Sequence, residues 1–379
     1  MKPKSKALLI AAAGLNAVSL AGVLVLTIAG HSIAGSLSYN NSAMRWDRSG
    51  RSSQVSCFLS DDSGFDTDDV NGLRADLSSA LKNISGDEEG SMHFTDAYST
   101  PAGTAQIKSD INGKSDAVLT AVGGDFFYFR NFQLLSGAYF SDKDLMQDGA
   151  VIDRSLAWAL YGSENVAGQN IYINDVKFYI AGVIDDPKSE YEKKTAGSTP
   201  RAYISYDGAQ QLNGSANAAS PDYDSTMGND APVRTADKIN CYECIASEPV
   251  DNFTYNTLKK YFKSSYSGKF TIVNNTKRFQ PSVRAKAYKN LPELAVKKDT
   301  VICPYWENAS RMADFKLSNI YHRRRIYLVI PAISAVCLLI AAAKAAKKYS
   351  LKLISAVNDK ITKILYNRRK EKYTAQKGQ

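Results

Sequence analysis

Two charge-free apolar runs, one near each end, constrain this chain more than any other feature of its sequence. Residues Ala7 to Ala29 carry no charged side chain and only three clearly polar ones, Asn16, Ser19 and Thr27. Ile326 to Ala343 are also uncharged, with Pro331 and Ser334 as the interruptions. At a helical rise of about 1.5 Å per residue the runs reach roughly 34 and roughly 27 Å, against a hydrocarbon thickness of about 30 Å. The second is slightly short, and Lys344, Lys347 and Lys348 can extend it by snorkelling to the headgroups. Both read as membrane-spanning helices, placed at residues 7–29 and 326–346. A short basic start and Ser32-Ile33-Ala34 would also suit a cleaved signal peptide. Such apolar cores run about 7–15 residues. This one runs 23, so an uncleaved anchor is expected.

Charge sets the orientation. Lys2, Lys4 and Lys6 precede the first run, and eleven Lys/Arg with only Asp359 and Glu371 follow Ala343. Setting those fourteen basic and two acidic residues aside from totals of 47 and 38 leaves 33 Lys/Arg against 36 Asp/Glu. The basic surplus therefore belongs to the two ends, and the middle is slightly acidic. By the positive-inside rule both termini face the cytoplasm of a cell membrane, and residues 30–321 lie outside it. Arg323-Arg324-Arg325 opposes the rule on the outer side, but the larger tail cluster outweighs it. A middle without basic surplus also argues against nucleic acid as a partner.

The middle reads as mixed strands and helices. Ser53 to Ser60 suits a strand, and Asp61 to Asp69 a turn. Thr67 looks like the N-cap of a helix with Val70, Leu73, Leu77 and Leu81 at helical spacing. Residues 85–92 read as a loop and Ser115 to Val122 as a strand. Val151-Ile152 suits a short strand and Ser155 to Tyr161 a helix. Asn174-Asp175 is a hairpin turn signal between Asn170 to Ile173 and Val176 to Ile184. Asn213 to Asp237 reads as a surface loop. A strand (Lys238 to Ala246), a helix (Val250 to Phe262) and a strand (Phe270 to Val273) follow. A last helical pattern, Trp306 to Tyr321, is expected to run into the second span.

Catalytic signatures are missing from the sequence. Asn112-Gly113-Lys114-Ser115 has Lys108 where a phosphate-binding loop needs its first glycine. His31, His93 and His322 form no HExxH pattern, and Ser79-Ala80-Leu81-Lys82 lacks the companion motifs of Ser-x-x-Lys enzymes. Cys241 and Cys244 have metal-like spacing, yet a strand would point them to opposite faces, with no second pair to complete a zinc site. No catalytic, cofactor-binding or metal residue is assigned, and no cofactor. The run Phe126 to Phe129 suits core better than a ligand groove. The sequons at Asn83, Asn213, Asn252 and Asn308 matter only in a glycosylating host. In the tail, Leu353, Ile354, Val357, Ile361, Ile364 and Leu365 fall on one helical face among basic residues. That suits a helix on the anionic inner leaflet, or a retention tail with no partner.

Phe58-Leu59-Ser60-Asp61-Asp62-Ser63-Gly64-Phe65 resembles the opening of the outer domain in MacB-like/FtsX-like ABC transporter permeases. So do Gly124-Asp125-Phe126-Phe127, Leu134-Leu135-Ser136-Gly137-Ala138-Tyr139-Phe140-Ser141 and Val151-Ile152-Asp153-Arg154-Ser155-Leu156-Ala157. Tyr161-Gly162, Val166-Ala167-Gly168 and Phe178-Tyr179-Ile180-Ala181-Gly182-Val183-Ile184 continue the likeness. Cys241-Tyr242-Glu243 and Trp306-Glu307-Asn308-Ala309-Ser310-Arg311 complete it, in order across roughly residues 7–345. The resemblance implies an α+β fold: a two-transmembrane-helix protein whose extracytoplasmic MacB-like domain joins porter-like α/β halves and an inserted β-rich lobe. The expected division is a cytoplasmic start (1–6), the first span (7–29), the outer domain (30–321), the second span (326–346) and a basic amphipathic tail (347–379). Within the outer domain the halves take residues 47–122 and 260–321 and the lobe takes 123–259. Such permeases have four spans, and here the sequence stops after the second. The expectation is thus a non-catalytic permease-like or accessory subunit of an ABC export system. Its partners would be the bilayer and a separate ABC ATPase or further permease subunits, with a homo-oligomer compatible. A standalone extracytoplasmic sensor, or the N-terminal fragment of a split permease, are the alternatives.

Overall fold

The computed structural model describes residues 3–60, 64–85, 93–185, 189–213, 237–291, 301 and 303–376. The Gly/Asp/Glu loop at 86–92 and nearly all of the Asn213 to Asp237 loop lie outside the described residues. The chain divides into two compact units, Met1–Ile28 with His322–Gln379, and Ala29–Tyr321.

Chain order explains much of the larger unit. Helix α1 (Pro3–Ser36) gives way to a 3-10 turn (Ser38–Asn41) and α2 (Ser42–Trp46). Strand β1 (Ser52–Leu59) and α3 (Thr67–Ser85) follow. The helix starts at Thr67 because the carboxylate of Asp66 accepts from the N–H groups of Asp68 (2.9 Å) and Asp69 (3.2 Å), so the cap sits one residue earlier than its sequence suggests. The stripe Val70, Leu73, Leu77 and Leu81 is buried, as its spacing requires.

Next come β2 (Phe94–Ser109) and β3 (Lys114–Gly124), then α4 (Phe126–Arg130), β4 (Leu134–Gly137), β5 (Gly149–Asp153) and α5 (Arg154–Tyr161). Strand β2 has no counterpart in the sequence reading. Its alternation is broken by a register shift between Pro101 and Thr104, with Gly103 at φ 81°. Helix α5 is capped by Asp153, whose Oδ1 accepts from Leu156 N at 2.8 Å, and ends at Gly162 with φ 69°. Strands β6 (Asn170–Ile173) and β7 (Val176–Ile184) form the hairpin signalled by Asn174-Asp175, whose φ values of 50° and 64° are those of a type I′ turn. The remainder is α6 (Glu190–Ala196), β8 (Arg201–Ser205), α7 (Tyr206–Asn213), β9 (Cys241–Ser247), α8 (Phe253–Ser265), β10 (Phe270–Asn274), α9 (Asn275–Arg278), α10 (Pro281–Ala287) and α11 (Tyr305–Gln376).

All ten strands join one mixed sheet in the order β10-β1-β9-β2-β3-β8-β5-β7-β4, with β6 paired to β2 and β7. The β3–β8 and β5–β7 pairs are parallel and the rest antiparallel. Strand β9, from the segment expected in the inserted lobe, lies between β1 and β2. Alternate side chains feed two cores. Val55, Cys57, Leu59, Tyr242 and Cys244 belong to one, with α3 and α8. Phe58, Cys241 and Ile245 belong to the other, with Phe126, Phe127, Tyr203 and Trp306. Cys241 and Cys244 thus take opposite faces. Of the aromatic run only Tyr128 is exposed. The class is α+β.

In the smaller unit, the segments from α1 and α11 contain apolar stretches long enough to cross a membrane. Their polar interruptions meet: Asn16 Nδ2 donates to Ser334 Oγ at 2.9 Å, and Ser19 Oγ donates to the carbonyl of Tyr327. Gly22 permits the approach, since a Cβ there would lie 3.0 Å from the Tyr327 ring.

A left-handed backbone costs an L-residue about 1–2 kcal/mol. Asn174→Val is expected to destabilise the protein by about that amount, whereas Asp175→Gly leaves it unchanged or more stable. Urea unfolding of both variants against the parent in micelles checks this.

Candidate functional site

The densest set of buried charges lies where the first turns of α11 enter the larger unit. Buried residues of this segment recur on one side as Trp306, Glu307, Ser310, Asp314, Leu317 and Tyr321. Two of them are carboxylates seven residues apart, which helical geometry sets one above the other. Both face α9 and α10. Arg278 grips Glu307 with two bonds, Nη1 to Oε2 at 2.6 Å and Nη2 to Oε1 at 2.9 Å. The same guanidinium reaches Asp314 through Nε at 2.9 Å. Arg284 Nη1 sits 2.7 Å from the other Asp314 oxygen. Burial opposes the charge on Arg278, but Glu307 and Asp314 outweigh it and hold the guanidinium well above its ordinary value. Burial pulls Arg284 down, with Asp314 working against it. Two cations and two anions leave the cluster neutral.

A second buried pair stands on the same face of the sheet. Arg130, at the end of α4, pairs with Glu243 of β9. Its guanidinium carbon lies 4.4 Å from the ring centre of Trp306, 5.3 Å from Phe126 and 5.6 Å from Tyr39. Glu243 also accepts from Ser56 Oγ at 2.8 Å, and Ser56 accepts from Asn275 Nδ2 at 2.7 Å. Burial lowers the Arg130 pKa from its ordinary value.

The segment that leaves α1 closes the third side. Tyr39 Oη donates to the carbonyl of Trp306 at 2.5 Å, and Asn40 Nδ2 donates to Ser310 Oγ at 2.9 Å. Burial pushes the Tyr39 phenol up, so it keeps its proton and remains a donor. Gly30 allows the end of α1 to pass Tyr321, where a Cβ would meet the phenol oxygen at 2.6 Å. Charge and shape here hold helices in register. The geometry is that of a clamp.

The residues singled out by sequence fall elsewhere. Asn112-Gly113 forms the β2–β3 turn, with Asn112 at φ 68°, and a Cβ on Gly113 would strike the Leu160 carbonyl at 2.1 Å. Ser79 bonds its own helix at Ala75 O (2.9 Å), and His93 packs 4.3 Å from the Trp46 ring. Neither the clamp arginines nor their carboxylates stand out in composition. The available signal was the placing of Glu307 and Asp314 on the same face as Ala313, Leu317 and Tyr321, where solvated acids do not belong.

The sequence model of the family described as MacB-like periplasmic core domain matches residues 17–236. This chain belongs to that family. It is 30% identical over 100 residues to the macrolide export ATP-binding/permease protein MacB of Pasteurella multocida (strain Pm70), which is 24% of this chain and 15% of that one. It is 29% identical over 121 residues to the probable syringafactin export ATP-binding/permease protein SyfD of Pseudomonas syringae pv. tomato (strain ATCC BAA-871 / DC3000), covering 31% and 18%. The chain therefore matches less than a fifth of the length of these relatives. Among solved structures, the periplasmic region of MacB from Actinobacillus actinomycetemcomitans shares 17% identity at a TM-score of 0.35, over 59% of this chain and 88% of that one. The extracellular domain of the noncanonic ABC-type transporter YknZ from Gram-positive bacteria shares 13% at 0.36, over 58% and 100%. The matched span of the MacB-like domain includes Tyr39 and Arg130, whereas Glu243, Arg278, Glu307 and Asp314 lie beyond it.

Removing one member of a buried ion cluster strands its partner, at a cost of about 3–5 kcal/mol. Glu307→Leu and Arg278→Met are each expected to lower stability by about that amount, and the two combined by clearly less than the sum. A double-mutant cycle from urea unfolding measures the coupling; additive losses would rule out the clamp.

Proposed function

We propose that this chain is a non-catalytic, permease-like or accessory membrane subunit of an ABC export system, with its MacB-like domain outside the cytoplasm and both termini inside. The observation that carries the proposal is α11, one uninterrupted helix from Tyr305 to Gln376. Its first turns hold Glu307 and Asp314 in the ion cluster, and its later turns contain the apolar run. Packed helices and ion-pair networks shift between discrete arrangements rather than deforming smoothly. An axial or rotational displacement of α11 would therefore load the Arg278 contacts first. Membership of the MacB-like family supports a permease-type role, and the names of the relatives join export to ATP binding. We assign ATP hydrolysis to a separate ATPase subunit, whose work this chain would relay.

Two measurements test the reading. A membrane-impermeant maleimide applied to intact cells is expected to label Lys143→Cys, an exposed position of the outer domain, and to reach Lys363→Cys only after permeabilisation. The reverse pattern would overturn the orientation. Affinity purification in mild detergent is expected to bring down an ABC ATPase, identified by mass spectrometry. Recovery of the chain without an ATPase or any further permease subunit would instead favour a standalone sensor.

A further inference from the structure

A cavity of about 190 Å³ lies on the face of the sheet that carries Cys241, between β2 and β3 on one side and the first turn of α11 on the other. Ser99, Val118 and Thr120 line its sheet side, Arg201 one end, and Tyr305 and Asn308 the helix side. At about 30 Å³ per water, that is room for roughly six waters, or one small organic molecule.

Arg201 sets the chemistry. It is 8% exposed, and its guanidinium carbon lies 4.5 Å from the ring centre of Tyr305. Its side chain donates to the carbonyl of Ala196. Among the described residues, the other buried arginines, Arg130, Arg278 and Arg284, each pair with a carboxylate. Arg201 forms no ion pair with a carboxylate of the described residues. Asp153 bonds the residue, but through the backbone N–H of Arg201 at 2.8 Å, while its other oxygen caps α5. A buried guanidinium with no carboxylate in contact is costly, and an anion entering the cavity would remove that cost.

The helix side adds to the same polarity. Pro304 accepts the first helical bond, from Asn308 N at 3.0 Å, and has no side-chain oxygen with which to cap the turn that follows. The opening N–H groups of a 72-residue helix thus add positive potential at the cavity wall. Val118, Pro101 and the Tyr305 ring supply apolar surface for a short organic body.

We propose that this cavity binds a small organic carboxylate, its anionic group set against Arg201 and its body against Val118 and Thr120. The site is independent of the transport reading. A ligand there would touch β2, β3, β8 and α11 together, and would stabilise the arrangement of all four by mass action.

Titration calorimetry of the full chain in detergent micelles tests this, with sodium benzoate as the probe and benzamide as its neutral counterpart. Saturable benzoate binding is expected in the parent, with benzamide at least tenfold weaker. Thr120→Phe, which fills the cavity and keeps the cation, and Arg201→Met, which keeps most of the volume and removes the charge, are each expected to weaken benzoate at least tenfold. Val118→Phe replaces either variant if it fails to show a parent-like thermal transition. The proposal is overturned if the parent shows no saturable benzoate heat up to roughly 10 mM. Equal affinity for benzoate and benzamide, or parent-like binding by a folded cavity-filled variant, overturns it as well.

Discussion

The contacts of Arg278 and Arg284 with Glu307 and Asp314 fix how the outer domain holds its last helix. A buried ion pair is a weak source of net stability, because two charges must first be stripped of water. Its value here is positional. The two carboxylates sit seven residues apart, so a slip of α11 by one residue would rotate both by about 100° away from the guanidinium. Leu317 and Ala313 would tolerate such a slip far better, since apolar packing has no direction. A helix held by hydrophobic contact alone could settle at several registers; one held at Glu307 and Asp314 has one.

The sheet divides the domain into two chemically different halves. Its α3/α8 face packs Val55, Leu73, Leu77, Tyr242 and Phe262 into a largely apolar core, with one charged contact at its edge, where Arg74 of α3 bonds Asp96 at 2.7 and 2.8 Å and Tyr242 Oη donates to the same carboxylate at 3.0 Å. The other face carries Arg130, Glu243 and Ser56, together with the approach of Tyr39 and Trp306. Strand β9 serves both, since Tyr242 and Cys244 point to one side and Cys241 and Glu243 to the other. More of the buried charges therefore stand on the face of Arg130 and Glu243, while the opposite face supplies mostly apolar burial with Arg74 and Asp96 as its ion pair. The cavity beside Arg201 belongs to this polar side.

Local chemistry made much of this legible in advance. The I′ turn at Asn174-Asp175, the buried stripe of α3, the burial of Phe126 and Phe129 and the opposed faces of Cys241 and Cys244 all follow from spacing and turn preference. So does the fusion of the Trp306 pattern with the apolar run into one helix. Strand β2 was not legible, because Pro101 and Gly103 interrupt its alternation just where the register shifts. The clamp was hidden for a different reason. Arg278 meets Glu307 across 29 residues of sequence, and Arg130 meets Glu243 across more than a hundred. Pairings of that range are set by topology, and no local period announces them. What the sequence did contain was the anomaly of acids on an apolar helical face, which becomes informative once a buried partner is sought.

The smaller unit uses the same device at lower strength. Asn16 and Ser19, two of the three polar interruptions in the first apolar run, are the residues that bond Ser334 and the carbonyl of Tyr327. Interhelical hydrogen bonds in membranes average about 0.6 kcal/mol by double-mutant cycle, because the separated helices find other partners in lipid. The loss of one partner from a buried ion cluster costs about 3–5 kcal/mol. A hydrogen bond lost in lipid is replaced by another, whereas a charge stranded inside the domain finds no substitute, so the register of α11 is specified at Glu307 and Asp314 and only supplemented at Asn16 and Ser19.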